Sequence, residues 1–226
     1  MKTFAVTALL AALAAASPVD IEARQLFGRV GSTATEFTDS RTCPPVIMLF
    51  ARGSTEIGNM GTVCGPPTGT GLKDIFGRDT IAVEGVEYAA LLSTNFLPGG
   101  ADLLGIREMK RLIERANTRC PGSKLVVGGY SQGAALTHRA VEDLPQAQKD
   151  QIVAAFTFGD TQKQQDNGQI PNFPREKTII ICNVGDLVCS GTLTLLAPHF
   201  TYGSRADEAV AFIAGRLRAA GIQPRK

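Results

Sequence analysis

Gly129-Tyr130-Ser131-Gln132-Gly133 sets a serine between two glycines, each two residues away. The pentapeptide follows a short apolar run, Lys124 to Val127, and precedes a helix-forming stretch, Ala134 to Leu144. A strand, a sharp turn and a helix form the setting of a nucleophile elbow, in which the serine sits on a strained turn and side chains at 129 or 133 would collide with strand or helix. The helix N-terminus behind Ser131 offers backbone N–H groups and a positive dipole end to a developing oxyanion. Read alone, a glycine-rich turn with a capping serine would look similar. The flanking strand and helix favour the nucleophile.

A serine hydroxyl attacks well only when a neutral imidazole takes its proton, and the chain holds two histidines. His138 lies seven residues after Ser131 on the same expected helix, about 10 Å further along, so its ring is out of reach and reads as a solvated or capping residue. His199, in Ala197-Pro198-His199-Phe200 after the last expected strand, is the remaining base. The imidazole needs a carboxylate on its far nitrogen. Asp160, after Phe158-Gly159, and Asp186, in Asn183-Val184-Gly185-Asp186, both follow strand ends. Asp186 is the better candidate, because it lies between Cys182 and Cys189 and gives the order Ser, Asp, His found in α/β-hydrolases. Oxyanion donors are expected from Gln132, next after the nucleophile, and from Ser54 in Ala51-Arg52-Gly53-Ser54-Thr55-Glu56. Asn95 is a weaker candidate for a polar group supporting Ser54.

Positioning these side chains is the task of five runs rich in Val, Ile and Phe: Val46 to Phe50, Thr80 to Val83, Lys124 to Val127, Ile152 to Phe158 and Thr178 to Cys182. They are mostly apolar without alternation, which suits strands buried on both faces of a parallel sheet. Helical patterns lie between them, with Met109, Leu112, Ile113 and Ala116 on one face and Val210, Ile213 and Leu217 on another. The expected architecture is α/β, with helices on both faces and the site along the rim of strand C-terminal ends. Gly69-Thr70-Gly71-Leu72-Lys73 has neither the spacing nor the preceding strand of a phosphate-binding loop.

The chain has 226 residues, 44% of them hydrophobic, enough for a sizeable core in one domain. Its 23 basic and 21 acidic residues leave a net charge of +2 without a basic run, so nucleic acid is not an expected partner. Met1, Lys2 and the apolar stretch Phe4 to Ala16 read as a secretory signal peptide, 1–16, with cleavage after Ala16. Residues 17–42 are polar and read as a propeptide or N-terminal extension, its end suggested by Glu22-Ala23-Arg24 before Gln25. The catalytic domain is then expected over 43–226. No later segment is apolar enough to cross a membrane, so a secreted, extracellular product is expected. Cys43, Cys64, Cys120, Cys182 and Cys189 become disulfide candidates rather than metal ligands, with one thiol odd. Cys182 and Cys189, seven apart around a glycine, are the best-supported pair.

Four segments in order, Ala51-Arg52-Gly53-Ser54-Thr55-Glu56 with Gly58-Asn59, then Gly129-Tyr130-Ser131-Gln132-Gly133, Gly185-Asp186-Leu187-Val188-Cys189 and Ala197-Pro198-His199, resemble the fungal cutinases over about Cys43 to Ala220. The resemblance implies a lidless, three-layer α/β-hydrolase fold with five parallel strands, and an esterase of cutin, the hydroxy-fatty-acid polyester of plant cuticle, and of short-chain esters. It implies Ser131, Asp186 and His199 as triad, Ser54 and Gln132 as oxyanion hole, and disulfides Cys43–Cys120 and Cys182–Cys189. Cys64 departs from that two-bridge pattern. Leu92, Leu193, Leu195 and Phe200 match crevice-lining positions, with Tyr130 and Asn95 beside them as further substrate-binding candidates. Only twelve residues separate Asp186 from His199, which leaves no room for a lid domain. The expected enzyme is a monomer with no cofactor or metal. The alternatives are an acetylxylan esterase or small lipase of the same fold, which the leucine-rich rim disfavours in the first case, and a non-catalytic surface-binding elicitor, which the complete triad disfavours.

Overall fold

The computed structural model describes residues 29–225. The expected signal peptide, 1–16, and the expected extension as far as residue 28 lie outside the described residues. The sheet is built from β1 (Val46–Ala51), β2 (Ile81–Gly85), β3 (Lys124–Tyr130), β4 (Ile152–Phe158) and β5 (Thr178–Ile181). All neighbours are parallel, in the order β2-β1-β3-β4-β5. The unbroken apolar runs have their expected cause: β1, β2 and β4 are buried at every position, because both faces are covered.

Side chains alternate across that sheet with the two-residue period of a strand. Ile47, Leu49 and Leu125 enter one core with Met109, Leu112 and Ile113 of the helix Leu103–Arg119 and Leu136 of the helix Gln132–Val141. Met48, Phe50 and Phe156 enter the other with Leu72 and Phe76 of the helix Gly65–Phe76 and Val210, Ile213 and Leu217 of the helix Ala206–Ala219. With Glu36–Asp39 and Gln146–Gln151 added, the helices in chain order are α1 (Glu36–Asp39), α2 (Gly65–Phe76), α3 (Leu103–Arg119), α4 (Gln132–Val141), α5 (Gln146–Gln151) and α6 (Ala206–Ala219). Asp102 caps α3, its carboxylate accepting from Leu104 N at 2.7 Å and Gly105 N at 3.1 Å.

The glycine-rich stretch at 69–73 lies inside α2. A Cβ on Gly71 would stand 2.8 Å from Val210 Cγ2, so the glycine there lets α2 and α6 approach closely.

The structure places the start of the folded body earlier than Cys43. Val30 and Ala34 are buried in one core and Phe37 in the other. Phe37 also lies under the guanidinium groups of Arg115 and Arg119, 5.7 and 4.5 Å from its ring centre. Glu84 on β2 accepts from Phe37 N and Thr38 N, each at 3.0 Å, and burial pushes its carboxyl above the usual range. This segment is held by single anchors and side-chain-to-backbone bonds rather than by an apolar stripe, so no periodicity marks it.

Cys43 is bonded to Cys120, and Cys182 to Cys189. Cys64 is a buried free thiol whose pKa is pushed well up by burial and by the nearby Glu56 carboxylate, which leaves it a poor nucleophile.

Candidate active site

The chain reverses its direction of progress across the sheet between β1 and β3, the strand order at which open α/β sheets form a crevice. Ala51 at the end of β1 pairs with Gly129 near the end of β3, so the loop carrying Ser54 starts beside the elbow. Ser131 has φ 56° and ψ −118°, the strained turn expected of it. A Cβ on Gly129 would fall 2.0 Å from Gly133 O, and one on Gly133 would fall 2.0 Å from Ala51 O. Both glycines are therefore sterically required.

His199 sits in a 3₁₀ turn, Ala197–Phe200, with its ring aimed back at the elbow. Its Nε2 is 2.9 Å from Ser131 Oγ and its Nδ1 is 2.9 Å from Asp186 Oδ2. Asp186 Oδ1 accepts from Val188 N at 3.1 Å within the loop closed by Cys182–Cys189. Its Oδ2 also accepts from the Tyr202 hydroxyl at 2.6 Å, and that hydroxyl accepts from Asn183 N at 2.8 Å. Tyr130 donates to His199 O at 2.6 Å and lays its ring 5.3 Å from the imidazole, centre to centre. Burial raises the pKa of both tyrosines, so each remains a neutral donor.

Ser54 Oγ accepts from Asn95 Nδ2 at 2.9 Å and from Gln132 Nε2 at 3.1 Å. Gln132 Nε2 also donates to Leu91 O at 2.8 Å. Two donors converging on Ser54 Oγ leave its own proton free to be given elsewhere. The loop is tied down by Glu56, whose carboxylate accepts from Gly53 N at 2.7 Å, Thr62 N at 2.8 Å and Val63 N at 3.0 Å. Arg52 Nη2 donates to Tyr88 O at 2.7 Å, and Tyr88 Oη donates to Arg52 O.

Above Ser131 opens a cleft of about 450 Å³, lined in part by Leu92, Asn95, Tyr130, Leu193, Leu195 and Phe200. All six substrate-binding candidates thus border one cavity. Its banks are solvent-exposed apolar side chains, Leu92 at 54%, Phe96 at 78% and Phe200 at 58%. They ride on short 3₁₀ turns, Leu92–Phe96 and Ala197–Phe200, with no lid domain among the described residues.

Two expectations change. His138 is fully buried rather than solvated or capping, and Asp160, the second candidate acid, is its partner at 2.9 Å rather than that of His199. Three supports carry no sequence signal. Tyr202 and Tyr88 are distant from the residues they hold, and Glu56 reads from the sequence as one more polar loop residue.

The family model for cutinase matches residues 42–217. The chain belongs to the cutinase family. It is 52% identical over 211 residues to "Cutinase CUT2" of Pyricularia oryzae, covering 93% of this chain and 96% of that one. Among solved structures, a Trichoderma reesei cutinase in complex with a C11Y4 phosphonate inhibitor superposes with a TM-score of 0.73 at 35% identity, covering 88% of this chain and 85% of that one. An acetyl xylan esterase superposes with a TM-score of 0.61 at 20% identity, covering 78% of this chain and all of that one, which is a likeness of fold alone. This member of the cutinase family is a carboxylic ester hydrolase of the α/β-hydrolase fold.

Proposed function

We propose that the chain is a secreted serine esterase whose triad is Ser131, His199 and Asp186, with Ser54 and Gln132 as oxyanion hole, and that it cleaves cutin and short-chain esters. One observation carries the reading: an unbroken line of hydrogen bonds from Ser131 Oγ through His199 to Asp186 lies at the floor of an open apolar cleft. In acylation Ser131 Oγ bonds to the ester carbonyl carbon as its proton passes to His199 Nε2, and the carbonyl electrons move onto oxygen. Ser54 Oγ–H and the backbone N–H of Gln132, at the N-terminus of α4, take up that charge. Collapse breaks the bond to the leaving alkoxide, which receives the proton from His199. Water then repeats the sequence on the acyl-enzyme, releasing acid and free serine. Asp186 keeps Nδ1 protonated and steadies the imidazolium throughout. The apolar leader at 1–16 and the two disulfides support an extracellular enzyme.

The banks of leucine and phenylalanine favour an acyl chain over a polysaccharide. Butyryl nitrophenyl ester should exceed the acetyl ester in kcat/KM by about four- to fifteenfold, from two more methylenes partly buried at roughly 0.8 kcal/mol each. Release of hydroxy acids from isolated cutin then tests the polymer directly. Preference for acetyl alone, with no release from cutin, contradicts this substrate assignment and favours an acetyl esterase.

The oxyanion reading makes its own demand. Gln132→Glu keeps the backbone N–H but replaces the amide donor with an acceptor, so the Ser54 proton turns toward the new carboxylate. Its kcat should fall about a hundredfold, as should that of Ser54→Ala, and the double variant should be little worse than either. Losses that add fully would show the two side chains acting independently.

A further inference from the structure

His138 takes part in none of these steps, yet it lies two turns beyond Ser131 on α4 with its side chain fully buried. Its Nδ1 is 2.6 Å from Asp166 Oδ2 and its Nε2 is 2.9 Å from Asp160 Oδ2. Carboxylate oxygens only accept, so a neutral ring with a single N–H would turn a nitrogen lone pair toward one of them. The imidazolium satisfies both. Asp160 also accepts from Thr157 Oγ1 at 2.7 Å and from Gln162 N at 2.8 Å. The other charged groups in the cluster are Arg139 on α4, paired with Asp166 and, at 2.8 Å, with Glu142, the residue that caps the C-terminus of that helix. Burial opposes charge on the His138 ring, but Asp160 and Asp166 outweigh it and lift the pKa to about 9. In return His138 holds the Asp160 carboxyl below its ordinary value against the opposing effect of burial.

The segment that carries these carboxylates meets the cleft and the loops that flank it at several points. Gly159, with φ +51°, backs onto the base, since a Cβ there would lie 2.9 Å from His199 Cε1. Thr161 lines the cleft itself. The Gln162 amide packs on Gly100, which follows the Leu92–Phe96 turn in the chain, and Gln164 packs on Gly191, which precedes Leu193; their closest atoms would be 2.5 and 2.7 Å from an added Cβ.

We propose that His138, as an imidazolium, is a positioning residue that fastens the 159–168 segment to the nucleophile helix and thereby fixes the back of His199 and both banks of the acyl cleft. The inference rests on the triad assignment above but concerns a group outside it. Its pH dependence has a definite sign. A pKa raised in the folded protein gives a stabilising effect that is complete below the unfolded value near 6.5 and is lost as pH rises through about 9. Alkaline solution should therefore loosen the cleft.

The chain has two histidines, so imidazole NMR on the intact enzyme, with His138→Gln supplying the assignment, reads the titration of each. The His138 ring should titrate near 9, and kcat/KM for butyryl nitrophenyl ester should fall reversibly with the same midpoint, mainly through KM. Asp166→Asn removes one carboxylate at a partly exposed position, and should move both midpoints down by about one pH unit. His138→Gln should abolish the alkaline limb. A His138 ring that titrates at or below its ordinary value, or an alkaline limb unmoved by Asp166→Asn, overturns the proposal. Either result in an enzyme still inactivated by Ser131→Ala leaves the triad reading standing, whereas activity surviving Ser131→Ala removes the triad reading itself. If His138→Gln does not fold, the ring whose midpoint moves in Asp166→Asn is assigned to His138, and a pair of rings neither of which moves overturns the proposal.

Discussion

Ser131→Ala is expected to lower kcat for a soluble nitrophenyl ester by about five to six orders of magnitude while leaving the protein folded. The loss is large because Ser131 Oγ is the atom that forms and breaks the acyl bond, and no second hydroxyl lies within hydrogen-bond reach of His199 Nε2 among the described contacts. The fold should tolerate the change. Alanine keeps the Cβ, takes the same backbone φ of 56° at no greater cost than serine, and removes only one buried hydrogen bond. Unfolding monitored by denaturant should shift by no more than about 1–2 kcal/mol. KM should change little, since the cleft walls remain. A residual rate within tenfold of the parent would mean that another group attacks the ester.

Asp186→Asn should cost about three to four orders of magnitude in kcat, by a different route. Asp186 Oδ2 now accepts from both His199 Nδ1 and the Tyr202 hydroxyl. An asparagine has one oxygen and one NH₂ for these two neighbours. The fixed Val188 N–H, which donates to Oδ1, keeps the amide oxygen on its side and leaves the NH₂ in the place of Oδ2. The NH₂ then faces Nδ1, which must become an acceptor. That moves the ring proton to Nε2, where it points at Ser131 and can no longer receive the serine proton. Steady-state kinetics of the variant against the parent check this. A rate unchanged by Asp186→Asn would show that the carboxylate neither sets the tautomer nor stabilises the imidazolium.

The sheet was legible in sequence because its strands are buried on both faces, so burial appears as unbroken runs such as Val46 to Phe50 and Ile152 to Phe158. The elbow was legible because steric demand at 129 and 133 leaves only glycine. His199 followed by elimination, helix geometry having put His138 out of reach of Ser131. The same geometry said nothing of what His138 does face. Its partners Asp160 and Asp166 come from the far side of β4, and a buried charged cluster joined by tertiary contacts leaves no periodic trace. Tyr202 and Glu56 were missed for the same reason: each acts through one bond pattern made across a loop. The segment from Val30 to Asp39, inside the expected extension 17–42, carries no sequence signal of its packing, because its attachment depends on Phe37 and on Glu84 reaching across to its backbone.

The most direct measurement is reaction of the intact enzyme with an alkyl phosphonate carrying a nitrophenyl leaving group, followed by peptide mapping. One equivalent of nitrophenol should be released per protein as hydrolytic activity falls to zero, with the phosphonyl mass on the peptide containing Ser131. An alkyl chain of several carbons should react faster than methyl, because the cleft above the serine is apolar. Label on any other residue, or full activity after Ser131 is phosphonylated, would contradict the assignment of Ser131 as the nucleophile.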